Sequence, residues 1–532
     1  MKAAPSALRD FTVDRRVWLL SGVAVGIGVC STALAVLLLK AIALSTNLFY
    51  YQRWSTAAAS PSGSTLGIWM LIVPVVGGLL VGLMARFGSD KIRGHGIPEA
   101  IEAILLNRAK VQPKIAILKP ISAAIAIGSG GPFGAEGPII MTGGAAGSLV
   151  GQWLHLTDAE RTTLLVAGAA AGMSATFASP VAAILLAVEL LLFEWRPRSL
   201  VPVALASATA GLLRVFWLGA GPLFAMPMLP ADHALGYAAG ALAVGAIVGL
   251  LAAGMSRMMY AFEDLFEHLP IHWMWWPAIG GLGVGIGGYF FPRGLGVGYD
   301  NIAQLLAGHA TIGLIVGILV AKSLMWACSL GSGTSGGVLA PLLMIGGAAG
   351  ALAANLMHMP PEVQAFWALM GMGAMLAGAL GVPLTAILFS LEVTHSLSAL
   401  LPLTLACVTA HLMTSLLTPR SILTEKLSRR GYHLSREYGV DPLELVLVRE
   451  LMTPEGGEAL VVADDVDARH FVYTDTTARE AAETMASEGL ATLRVIDRES
   501  GRVSGRLNLH DLLRGRSRSI DRERERLRLI GV

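Results

Sequence analysis

A single carboxylate, Glu136, stands inside a stretch of glycine and apolar residues, GSGGPFGAEGPIIMTGGAAG, Gly128 to Gly147. A hydrocarbon interior penalises an unpaired carboxylate, so an acid placed there is a functional residue by default. The flanking Gly134 and Gly137 let the backbone approach a small ion closely. An apolar helix opening near Pro138 would turn its free N–H groups and positive dipole end back on the same point. The chemistry this predicts is an anion site whose place the glutamate's own carboxylate can take, and from which protonation would release it. The other reading is a helix-capping acid that binds nothing.

The stretch occurs twice. Adding 203 to each number leads to GSGTSGGVLAPLLMIGGAAG, Gly331 to Gly350, and carries Pro138 to Pro341, Met141 to Met344, Pro180 to Pro383 and Glu189 to Glu392. The chain is therefore a duplication, but Glu136 falls on Leu339, so only one copy keeps the acid. GLGVGYDNIAQLL is a fainter echo of RGHGIPEAIEAILL at an offset of 202, pairing Gly94 and Gly96 with Gly296 and Gly298.

The elements that must position this acid are membrane helices. With 532 residues, 54% of them hydrophobic and 14% charged, the chain is too apolar for a soluble globule and reads as a polytopic membrane protein. Its 62 glycines fit helices that pack backbone to backbone or break at depth. Cys30, Cys328 and Cys407 lie far apart in apolar segments, which argues against a disulfide framework or a zinc site. Arg9, Arg15 and Arg16 precede the first span and basic residues crowd the region after Pro419, which places both termini in the cytoplasm. No cleavable signal peptide is evident.

Spans are expected from Val17 to about Leu48 and from Leu66 to Ala85. Between Gly94 and Phe193 the apolar segments are short and broken by GHGIPEA, GAEGP and FASP, the pattern of discontinuous helices meeting near the midplane. Further helices are expected over 198–217, 235–263, 275–291, 361–378, 384–394 and 398–418. Periodicity does not tell parallel from inverted halves. The expected division is a lead (1–15), a first membrane repeat (16–217), a second (218–420), a linker (421–446), a small α/β module (447–515) and a charged tail (516–532). The tail alternates acids with bases, which favours a solvated face over a nucleic-acid arm.

These residues resemble the CLC family of chloride channels and chloride/proton exchangers, and the resemblance covers nearly the whole chain. GAEGP at Gly134 to Pro138 looks like the family's GREGP, with Ala135 in place of the usual basic residue and Glu136 as the gating and proton-carrying acid. GHGIP at Gly94 to Pro98 looks like GSGIP, and GVLAP at Gly337 to Pro341 looks like GxFxP. The resemblance implies an all-α CLC-type fold of two inverted repeats with broken helices, a pore within each subunit and a homodimer. It also implies an anion path framed by Gly94, His95, Gly96, Ile97, Pro98, Ala135, Gly137, Gly337, Val338, Leu339, Ala340 and Leu423.

The departures bear on mechanism. The family's central serine falls on His95 and its central tyrosine on Leu423, so both hydroxyl ligands are missing. His95 either donates an N–H to the anion or is buried for packing. The second acid of the exchangers' EE pair falls on Leu190, behind Glu189, so the standard internal proton acceptor is absent. Glu194 is either a substitute or an acid paired near Arg196. Glu392 repeats Glu189, which favours a role for both in pairing helix ends.

The C-terminal module resembles a CBS element, expected to serve as a dimer contact or to take an adenine nucleotide. No other cofactor and no metal are expected. The expectation for function is passive chloride conduction gated by Glu136 in a bacterial inner membrane, with chloride/proton antiport, a fluoride-selective pore and a membrane sensor as the other readings. An enzyme is disfavoured, since neither GxSxG nor HExxH is present.

Overall fold

The computed structural model describes residues 15–227, 234–432, 443, 446–454, 471–498 and 500–516. The lead (1–15) and the charged tail (516–532) thus lie outside the described residues, apart from Arg15 and Arg516. The chain divides into two compact units, Met1–Arg436 and Glu437–Val532.

Among its described residues the first unit is built of helices. Its first half holds α1 (Arg16–Tyr51), α2 (Val73–Phe87), α3 (Ile97–Leu105), α4 (Pro113–Gly128), α5 (Glu136–Trp153), α6 (Asp158–Phe177), α7 (Pro180–Leu186, extended by a π turn over Ala187–Leu192) and α8 (Pro197–Leu218). The second half holds α9 (Ala234–Glu267), α10 (Trp276–Phe290), α11 (Tyr299–Leu306), α12 (Ile312–Gly317), α13 (Ser323–Gly331), α14 (Leu339–Leu356), α15 (Pro361–Leu380), α16 (Pro383–Thr394) and α17 (Leu400–Leu417). A π turn, Ile318–Lys322, joins α12 to α13. Helices α5, α6 and α7 start 203 residues before α14, α15 and α16.

Eight helices among the described residues are long and apolar enough to cross a membrane. Leu37 on α1, Leu212 on α8 and Leu401 and Leu416 on α17 present large apolar side chains outward, as lipid-facing positions do. The protein is an integral membrane protein.

Small residues set the packing. Gly143 of α5 and Gly168 of α6 lie so close that a methyl on either would strike the other's carbonyl, and Gly346 of α14 and Gly371 of α15 repeat the contact 203 residues on. The halves themselves meet through equivalent residues. Gly134 N–H donates to Gly337 O (3.2 Å) and Gly337 N–H to Gly134 O (2.9 Å), an isolated antiparallel bridge. Equivalent residues that exchange bonds in antiparallel sense are related by a two-fold axis. The repeats are inverted, which periodicity alone did not reveal.

Residues 422–429, assigned to the linker on composition, form α18 (Ile422–Arg429). Its Ile422, Leu423 and Leu427 are buried in the core of the membrane unit. The charges that suggested a linker belong to one face of this amphipathic helix.

The second unit is a small α/β module, CBS-like in its sheet and helix. It contains α19 (Val448–Leu451), β1 (Thr453–Pro454), β2 (Phe471–Tyr473), α20 (Ala478–Glu488), β3 (Thr492–Ile496), β4 (Val503–Asn508) and a final helix over 509–516. The sheet order is β1-β4-β3-β2, with β2 and β3 parallel across α20 and β3 and β4 antiparallel. Its own core is formed by Val448, Val472, Ala481, Met485, Leu493 and Leu507.

Candidate functional site

Broken helices leave free N-termini, and three of these carry the residues singled out in the sequence. Glu136 is the first residue of α5 and Leu339 the first of α14, while Gly96 caps α3. Around them Ile97, Ala135, Val338 and Ala340 are fully buried, and so are Leu423 and Glu136 itself.

Glu136 reaches across the two-fold axis. Its Oε1 accepts the N–H of Ala340 in the first turn of α14 (3.1 Å), and its Oε2 has no hydrogen-bond partner among the described residues. The carboxylate therefore sits on the N-terminus of the other repeat's helix, where an anion would sit. A side chain at Gly337 would come within 2.5 Å of Oε2, so glycine is what lets the carboxylate in. The cap and anion-site readings of this residue describe one geometry.

The Gly94 to Pro98 segment is fixed from both sides. Gly96 has φ +91°, a conformation that glycine adopts without strain, and its N–H donates to Glu99 Oε2 (2.8 Å). Glu99 Oε1 is ion-paired with Lys426 of α18 (3.1 Å). Lys119 of α4, fully buried, donates to the carbonyls of Ile92 (2.8 Å) and Gly94 (2.7 Å). Its repeat equivalent Lys322 donates in the same way to Gly296 (2.8 Å) and Val297 (3.3 Å). His95 is only 2% exposed, and neither ring nitrogen has a hydrogen-bond partner among the described residues. Its carbonyl packs against Gly137, one residue from Glu136.

Two cavities approach this point. One, about 790 Å³, is lined by Arg93, Glu99, Met141, Glu263, Gly333 and Lys426. The other, about 620 Å³, is lined by Lys40, Thr46, Arg214, Gly296, Gly298 and Tyr299. Ile127 lines the second cavity and its repeat equivalent Leu330 the first, so at this point the cavities follow the inverted symmetry. Tyr299 packs edge-on against Phe177 and Phe224, and its hydroxyl has no partner among the described residues.

The acids of the α7 region are committed elsewhere. Glu189 accepts from the N–H groups of Leu384 (3.2 Å) and Thr385 (2.9 Å), while Glu392 accepts from those of Val181 (3.0 Å) and Ala182 (2.8 Å). Leu190 is fully buried. Glu194 is paired with Arg196 (3.4 Å) and Arg198 (3.8 Å) and accepts from Ser199 (2.8 Å). Among the described residues no group of three or more His, Cys, Asp or Glu side chains could hold a metal ion.

Lys119, Lys322, Glu99, Lys426 and Glu263 were not found by sequence reasoning. A signal existed for the two lysines: each is a lone cation in an apolar run, and they lie 203 residues apart.

The model of the voltage gated chloride channel family matches residues 76–415. The chain is 31% identical over 418 residues to a putative chloride channel protein ClcB-like from Ralstonia nicotianae, covering 75% of this chain and 95% of that one. It is 30% identical over 377 residues to the H(+)/Cl(-) exchange transporter ClcA of Salmonella agona, covering 66% and 78%. Its fold is similar to that of a slow cyanobacterial Cl-/H+ antiporter (TM-score 0.68, 21% identity, 79% of this chain and 99% of that one). A CLC-type fluoride/proton antiporter is similar as well (TM-score 0.67, 20% identity, 77% and 98%). With the family model spanning most of both repeats and the ClcB-like relative matched along nearly all its length, the chain belongs to the voltage gated chloride channel (CLC) family of anion transport proteins.

Proposed function

We propose that the protein moves chloride in exchange for protons, with Glu136 as both gate and proton carrier. The observation that carries this reading is the Glu136 carboxylate on the N-terminus of α14, held by Ala340 with one oxygen unpartnered among the described residues. Protonation removes the charge that α14 holds, frees the seat for chloride and lets the acid carry its proton away. The identity with an exchange transporter of Salmonella agona supports this reading.

Passive chloride conduction is the second reading. It is favoured by Leu190, buried and apolar where the exchangers carry an acid, and by the commitment of Glu189 and Glu194 to other partners. The two are separated by imposing a chloride gradient on proteoliposomes and recording external pH. Uphill proton movement supports exchange; chloride flux without it leaves conduction.

The positive-inside rule assigns the cytoplasmic side to the 790 Å³ cavity, because Lys426, Arg429 and Arg430 line it. The working unit in this reading is a homodimer in a bacterial inner membrane with both termini cytoplasmic. The CBS-like unit serves as a dimer contact; titration of the full chain with ATP tests the nucleotide alternative.

A further inference from the structure

Exchange needs a proton route from the cytoplasm to Glu136, and Leu190 cannot bind a proton. The 790 Å³ cavity is lined by five acids: Asp90, Glu99, Glu102, Glu263 and Glu267. Glu99 is held by Lys426 and Gly96, and Glu102 is paired with Arg430. Asp90 and Glu267 are exposed. Glu263, at the end of α9, is half-buried and has no partner within ion-pair or hydrogen-bond distance among the described residues. The groups that face it are Arg93 ahead of α3, Lys426 and Arg429 on α18, and Tyr260, Asp264 and Glu267 on its own helix.

Its position ties it to the gate. The Glu263 backbone nitrogen would lie 2.8 Å from a methyl added at Gly331, the last residue of α13, after which the chain runs to Gly337 against Glu136. The same cavity reaches Met141, five residues along α5 from Glu136, which is a rise of about 7.5 Å. At about 30 Å³ per water in the liquid, the cavity has room for hydrogen-bonded waters from Glu263 as far as Met141.

We propose that Glu263 is the internal proton acceptor that replaces the missing acid at Leu190; this rests on the exchange reading. Its carboxylate takes a proton from hydronium in the cytoplasmic water, leaving water. It passes that proton through the cavity to the Glu136 carboxylate and is itself returned to the ionised form. Glu136, neutralised, leaves Ala340, and chloride takes the vacated N–H.

The test uses the full chain in proteoliposomes under a chloride gradient, recording chloride efflux and external pH together. Glu263→Gln is expected to lose uphill proton transport by roughly tenfold or more while chloride efflux falls by less than about threefold, and Glu267→Gln to keep both. Glu263→Cys is expected to lose coupling likewise and to regain it on reaction with a carboxyethyl methanethiosulfonate, which restores an acid without restoring the residue. This rescue also decides the matter if the glutamine variant does not assemble. Proton transport at the wild-type ratio in Glu263→Gln, or no rescue of the labelled cysteine, overturns the assignment. A wild-type protein that moves no protons uphill overturns the exchange reading first, and the assignment with it.

Discussion

Glu189 and Glu392 each cap the helix that carries the other. Glu189 closes the N-terminus of α16, on which Glu392 lies, and Glu392 closes the N-terminus of α7, whose π-turn extension holds Glu189. The pair locks the two repeats together beside the fully buried Leu190.

Replacing one partner tests that lock. Glu392→Gln keeps the shape but removes the charge from bonds to Val181 and Ala182, and is expected to destabilise the fold by about 1 kcal/mol. A lower thermal midpoint in detergent, with chloride efflux retained, is the expected result.

Glu136→Gln imitates the protonated gate permanently. Chloride efflux should persist and lose its dependence on pH, and uphill proton transport should vanish. Efflux assays across a pH series check this, and an unchanged pH profile would count against the gating role.

Gly337→Ala acts on the same carboxylate by bulk alone. Its methyl would meet Glu136 Oε2 at 2.5 Å and Gly134 O at 2.6 Å, distances that cannot be held, so the carboxylate is driven from α14. Flux in this variant should resemble that of Glu136→Gln more than that of the wild type.

Lys119→Met leaves the carbonyls of Ile92 and Gly94 buried without a donor, at about 1–3 kcal/mol for each. Lys322→Met does the same to the buried Gly296 and removes the donor of the half-buried Val297. Both variants should unfold at lower temperature and carry chloride more slowly, because each lysine holds the loop at the end of one cavity. Normal flux from either would remove the lysine from the positioning of the path.

Deletion from Leu447 onward should leave chloride flux measurable, since both repeats and α18 lie before that point. A truncated protein that inserts normally but carries no anion would make the α/β module part of the transport machinery.

The broken helices and the duplication were legible because glycine, proline and apolar runs are local features that survive at a fixed offset. The seat of Glu136 was legible in kind, an acid at a helix mouth, but not in detail. The mouth it occupies belongs to Leu339 and Ala340, 203 and 204 residues away, and an offset reports equivalence without saying which way the copies face. Glu263 escaped notice because it lies in the last turns of a long helix, where an acid is unremarked; α18 and the residues before α3, distant in sequence, make it part of a cavity. Leu423, read as a pore position within a linker, lies on α18 instead.

The bridge between Gly134 and Gly337 makes the backbone at the centre of the protein nearly the same seen from either face of the membrane. Such a centre has no inherent direction. The difference between outward and inward therefore enters through side chains; at the axis GAEGP meets GVLAP, and the one difference in charge is Glu136 against Leu339. A duplicated ancestor carrying the same residue at both would have been a two-way object; a single acid suffices to give the molecule a front and a back.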